Sequence, residues 1–192
     1  SASSSCCSVG AGGFASAYHG GIRRGGAFEL KQATWAYRHA LRSPRTAADP
    51  ARREALEAVD LADWFRRMPW RPGDSPLAAA PEYETYLFEQ WRAGTFTDDW
   101  KRPGLYAEGY YDAMPDIPVA IVGSWYDPYV RTCIGNFEQL SRRKRSAVSL
   151  LMGPWTHGGR SVTWAGDVDF GTSATLDGNL AEDYRRLRLD WF

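Results

Sequence analysis

Ile117-Pro118-Val119-Ala120-Ile121-Val122-Gly123 and Ala147-Val148-Ser149-Leu150-Leu151-Met152 are the two stretches that decide the fold. Both are short, apolar and rich in branched residues, without the polar alternation of a strand that has one wet face. Such a run reads as a strand covered on both sides, which is the habit of parallel sheets in α/β proteins. Between them, Val130, Cys133, Ile134, Phe137 and Leu140 recur at helical spacing and predict a helix over 128–143 with one buried stripe. Strand, helix and strand make a βαβ unit of an open sheet. A last helix is expected at 180–192.

Upstream the pattern is helical. Tyr83, Leu87 and Trp91 lie four apart on a helix expected at 81–92, and Leu56, Val59, Ala62 and Phe65 lie three apart on one expected at 51–68. Pro69, Pro72 and Pro76 end the latter, and residues 43–50, with Pro44 and Pro50, read as a turn-rich connector. A further helix fits 29–41, after a glycine-dense turn at 18–28, while 93–116 read as loops heavy in aromatics. Residues 1–16 are Ser-, Gly- and Ala-rich without a period, either a flexible leader or a small-residue segment crossing a core. The expected organisation is a leader and Gly-rich turn at 1–27, a helical region at 28–116, and strands and helices at 117–192.

The chain has 192 residues with 23 basic and 23 acidic side chains, so no net field favours nucleic acid or an anionic membrane. The run Arg142-Arg143-Lys144-Arg145 reads as a solvated helix end, where cations complement the macrodipole. No apolar run is long enough to span a bilayer. Cys6, Cys7 and Cys133 form neither a disulfide framework nor a metal-ligand spacing, so no metal is expected and a reducing, cytoplasmic setting is the default. The sequence starts without Met and stops inside a helix at Trp191-Phe192, and both ends read as cut, leaving an incomplete domain.

Open α/β sheets place ligands beyond the carboxyl ends of their strands. Asp127 follows the first strand in Gly123-Ser124-Trp125-Tyr126-Asp127, and His157 follows the second in Gly153-Pro154-Trp155-Thr156-His157. An Asp that fixes an imidazole's tautomer, and the imidazole as general base, are two members of a Ser-His-Asp triad. Acid before histidine is also the chain order of enzymes whose serine elbow comes first. Taken singly, each residue has a blander reading, as a turn residue and a structural histidine. Asp167 and Asp169 read as loop residues, His19 as part of a turn and His39 as a cation at a helix end.

These motifs resemble the CocE/NonD family, the cocaine esterase and X-prolyl dipeptidyl-peptidase group of α/β-hydrolases. The resemblance rests on Gly123 to Tyr129, where Ser124 is inserted into the family's G-W-Y-D, and on the unbroken G-P-W-[ST]-H of Gly153 to His157. Gly166 to Gly171, Leu187 to Phe192, and Tyr18-His19-Gly20-Gly21 with Gly25 to Phe28 look like further family features.

The resemblance implies the C-terminal part of an α/β-hydrolase fold with a helical cap insertion at 28–116. It implies a serine hydrolase of ester, amide or X-Pro dipeptide substrates, with small-molecule or peptide substrates and no cofactor. Asp127 and His157 would be catalytic, and Tyr129 and Trp35 would line the acyl pocket. The family's G-x-S-Y-x-G nucleophile has no counterpart here: Ser8 follows Cys6 where glycine belongs, and Ser124 lies in the acid loop. The nucleophile is expected outside this sequence, and the chain alone is expected to be inactive. A non-catalytic binding protein of the same fold is the alternative. The oligomeric state is left open.

Overall fold

The computed structural model describes residues 8–11, as backbone, and residues 15–191. In chain order the elements are β1 (Ser8–Ala11), α1 (Ala17–Gly20), β2 (Arg23–Arg24), β3 (Ala27–Phe28), α2 (Lys31–Leu41), α3 (Pro44–Ala48), α4 (Pro50–Glu57), α5 (Leu61–Arg66) and α6 (Pro81–Arg92). Short 3-10 turns follow, and then β4 (Val119–Tyr126), α7 (Val130–Arg143), β5 (Val148–Thr156), β6 (Trp164–Ala165), β7 (Val168–Asp169) and α8 (Tyr184–Trp191). The chain divides into two compact units, one of Ile22–Phe96 and one of Ser1–Gly21 with Thr97–Phe192.

The unit of residues 22–96 opens with a hairpin of β2 and β3. Its two linking residues, Gly25 and Gly26, have φ of 56° and 88°, the left-handed pair that a tight two-residue hairpin turn requires. The buried Arg23 donates to the carbonyls of Gln90 and Trp91, so a cation closes the C-terminal end of α6. The core joins Ala33, Ala36 and Ala40 of α2 to Leu56, Trp70, Leu77, Leu87 and Phe88. Small residues on α2 let α6 and α4 approach it closely.

The single helix expected at 51–68 is two helices here, and the expected connector at 43–50 holds α3. Asp49 accepts the Arg52 N–H, and Asp60 accepts the N–H groups of Ala62 and Asp63. Each aspartate is an N-cap that starts a new helix, and Asp60 therefore interrupts an apolar spacing that would otherwise run on.

In the other unit β1, β4 and β5 form a parallel sheet in that order. This is an α/β arrangement, with α7 crossing between β4 and β5. Alternate residues of β4 serve opposite faces: Val119 and Ile121 pack with Cys133 and Leu140 of α7, while Val122 packs with Trp155 and Leu176. Burial on both faces is why the strand reads as an unbroken apolar run. Of the two readings left open for 1–16, a flexible leader or a small-residue segment crossing a core, the pairing of Ser8 with Val119 through Ala11 with Val122 in β1 matches the second. Its small residues carry little strand propensity, and the pairing comes from the partner strand.

Near its end the β4–β5 ladder shifts register, with Ser124 opposite Gly153 and Tyr126 opposite Thr156. The extra residue on β5 makes a bulge that accommodates Pro154, which has no N–H for the ladder. The expected helix at 180–192 begins later, at Tyr184, where Asp183 accepts the Arg186 N–H. Among the described residues no helix is long and apolar enough to cross a membrane.

Candidate active site

Asp127 is the first residue after β4 and His157 the first after β5. Because Tyr126 and Thr156 are register partners, the next residue of each strand emerges beside the other. His157 Nδ1 and Asp127 Oδ2 are 2.7 Å apart. With the carboxylate ionised, which can only accept, and the imidazole neutral, this bond takes its proton from Nδ1 and leaves the lone pair on Nε2. The acid side chain is 9% exposed and the imidazole 62% exposed. The carboxylate is thus held inside while the basic face of the ring meets solvent.

The second carboxylate oxygen is held too. Asp127 Oδ1 accepts the backbone N–H of Tyr129 at 2.8 Å, at the start of α7. The turn is closed by Asp127 N–H to Ser124 O at 3.3 Å and Val130 N–H to Asp127 O at 3.1 Å. The positive end of the α7 macrodipole adds to the field on the carboxylate. The Tyr129 ring stands edge-on to the His157 ring, with centroids 5.3 Å apart. Asp127, His157 and Tyr129 are therefore brought together in one unit.

Trp35 lies on α2 in the helical unit, 46% exposed, against His39 at 4.1 Å and Tyr86 at 5.8 Å between ring centroids. His39 stands in the last turn of α2, as expected, with its ring tilted against the Trp35 indole. His19 faces Glu108, with Nδ1 3.2 Å from Oε2. Asp169 accepts the Gly171 N–H at 2.9 Å, and this bond with the Thr163 hydroxyl holds its carboxyl below the ordinary value.

The basic run is engaged with the acidic loop ahead of β4. Arg143 pairs with Asp112, Lys144 donates to the carbonyls of Met114 and Pro115, and Arg145 pairs with Asp116. No group of three or more His, Cys, Asp or Glu side chains suited to a metal is found among the described residues. Sequence reasoning missed the role of Trp155, which is 2% exposed and donates from Nε1 to Ala174 O at 2.6 Å. Its place in the histidine motif was the available signal.

Ser8 and Ser124 stand differently. Ser8 is in register with Val119, the first residue of β4, whereas Asp127 comes after the last, Tyr126. At about 3.3 Å per residue, that places Ser8 some 25 Å along the sheet from the acid. Ser124 is a buried strand residue paired with Gly153.

No curated protein matches the chain. The family profile of the X-Pro dipeptidyl-peptidase (S15 family) matches residues 6–159, a span that includes both Asp127 and His157. By that match the chain belongs to the X-Pro dipeptidyl-peptidase (S15) family, whose members are hydrolases.

Proposed function

We propose that this chain carries the acid and base of a Ser-His-Asp hydrolase of the α/β-hydrolase fold, and that the serine they serve is not in this sequence. The observation that carries the reading is the 2.7 Å contact of His157 Nδ1 with Asp127 Oδ2 at the carboxyl ends of adjacent parallel strands. His157 Nε2 would take the serine proton as Oγ attacks an ester or amide carbonyl, and would then return that proton to the departing alcohol or amine. Water, activated by the same nitrogen, would release the acyl group and restore the serine. Asp127 holds the ring in the required tautomer and stabilises the imidazolium formed midway. None of these steps draws on a metal or organic cofactor.

The absence of G-x-S-x-G, the register of Ser8 and the burial of Ser124 support a nucleophile outside this sequence. X-Pro dipeptides, other amides and esters are the proposed substrate class, following the family. Residues 28–116 are proposed as the helical cap, and Tyr129 and Trp35 as substrate-binding residues, following the family. The exposed indole of Trp35 suits that role.

In a protein joining this chain to a G-x-S-Y-x-G segment, Asp127→Asn is expected to lower kcat/KM about ten-thousandfold and His157→Ala by about a millionfold. Wild-type rates in either variant would refute the assignment of acid and base, and no hydrolysis by the joined protein itself would favour a non-catalytic role. The chain alone is expected to take no fluorophosphonate on any serine. Covalent labelling of Ser8 or Ser124, read by mass spectrometry, would put the nucleophile within it.

A further inference from the structure

His157 presents most of its side chain to solvent, so packing on the ring itself does little to fix where it points. The backbone around it is tied on both sides to one loop. Two residues before it, Trp155 Nε1 donates to Ala174 O at 2.6 Å. Three residues after it, Arg160 O accepts the Leu176 N–H at 2.8 Å, and the next side chain, Ser161, donates its hydroxyl to Asp177 Oδ2.

The loop that receives these bonds is internally braced. Asn179 Nδ2 reaches Thr172 O, Thr175 O and Thr175 Oγ1 at 2.9 to 3.0 Å, and Thr175 Oγ1 donates to Asp177 O at 2.9 Å. Leu176 is fully buried against Val122 and Trp155, which anchors the loop on the sheet face beneath the histidine. The Arg160 guanidinium lies 3.9 Å from the Tyr184 ring centroid, extending the attachment to α8.

We propose that residues 172–181 are a cradle for the catalytic base and that Asp177 is a positioning residue, holding the His157 turn through Ser161. The inference rests on His157 being the base paired with Asp127. The hydrogen bond of the imidazole runs to Asp127 and not to this loop. Its action runs through the two ends of the turn, by restricting the backbone from which the ring projects.

The test follows the His157 Nδ1 proton of the intact chain by low-temperature proton NMR. A low-field resonance in the wild type that disappears in Asp127→Asn identifies that proton; its absence from the wild type overturns the dyad and the cradle together. With the resonance present, Asp177→Ala is expected to speed its exchange with solvent at least about tenfold, as loosening a charge-assisted hydrogen bond does. Asp177→Asn retains an acceptor for Ser161 and is expected to restore slow exchange. Unchanged exchange in folded Asp177→Ala, or Asn behaving as Ala does, overturns the cradle while leaving the dyad intact. If Asp177→Ala does not fold, Ser161→Ala removes the same bond from its other end and is read by the same criterion.

Discussion

Single residues decide whether the histidine turn can form. A Cβ added to Gly153 would lie 2.3 Å from the Trp155 ring, which is fixed by its bond to Ala174 O. One added to Gly123 would meet Met152 Sδ at 2.6 Å and Cys133 Sγ at 2.9 Å. The Met152 thioether can turn aside and the Cys133 thiol can rotate about its Cα–Cβ bond, whereas a buried, hydrogen-bonded indole cannot move without leaving its place. Gly153→Ala is therefore expected to destabilise by about 1–3 kcal/mol and Gly123→Ala by less, as measured by chemical denaturation. Equal costs would refute the reading of the Trp155 ring as fixed. At this scale the sequence was largely readable, because the residues around Asp127 and His157 are constrained in type by what they touch. Asp177 and Ser161 were not readable: they form a long-range pair in loops, without periodicity or a local motif.

Among the elements, those with one uninterrupted physical signal could be read in advance. The helix expected at 81–92 is α6 over the same residues, where proline opens the first turn and a regular apolar face follows. Capping defeated the expectation for 51–68, since an aspartate side chain can stop one helix and start another within an unchanged spacing. Strand β1 was illegible because its partner lies far along the chain.

A further element-scale contact joins the turn between α7 and β5 to the loop before β4. Asp116 accepts from the Ser146 and Arg145 N–H groups and from the Arg145 guanidinium, which hold its carboxyl at about 2 against an ordinary 3.8. A carboxyl held low contributes stability above its unfolded value and loses it as pH falls through the folded one. The loss should thus fall between about pH 4 and pH 2. Asp116→Asn is expected to flatten that segment of a plot of denaturation midpoint against pH. An unchanged slope would show that the contact adds nothing in solution. Glu82 and Asp98 are also held low, by Arg52 and Lys101, so the comparison must be made between wild type and variant.

At the scale of the whole molecule there are separate cores, one within residues 22–96 and others on the two faces of the sheet. Leu56 is fully buried in the first. Leu56→Ala is expected to cost about 2–5 kcal/mol in that unit, seen as faster amide exchange from α2 and α6. Protection in β4 and β5 should change less; an equal fall in both units would show that they unfold as one. The order of the sheet also sets an order in time. The strands β4 and β5 are separated by one helix and can meet soon after both exist. Their neighbour β1 pairs with residues about 110 positions later, beyond the entire helical unit. At a synthesis rate of roughly 5–20 residues per second, β1 leaves the ribosome some 5 to 20 seconds before its partner. For that interval the edge of β1 that β4 will take stays open, and a chaperone that shields it during translation would raise the yield of folded chain.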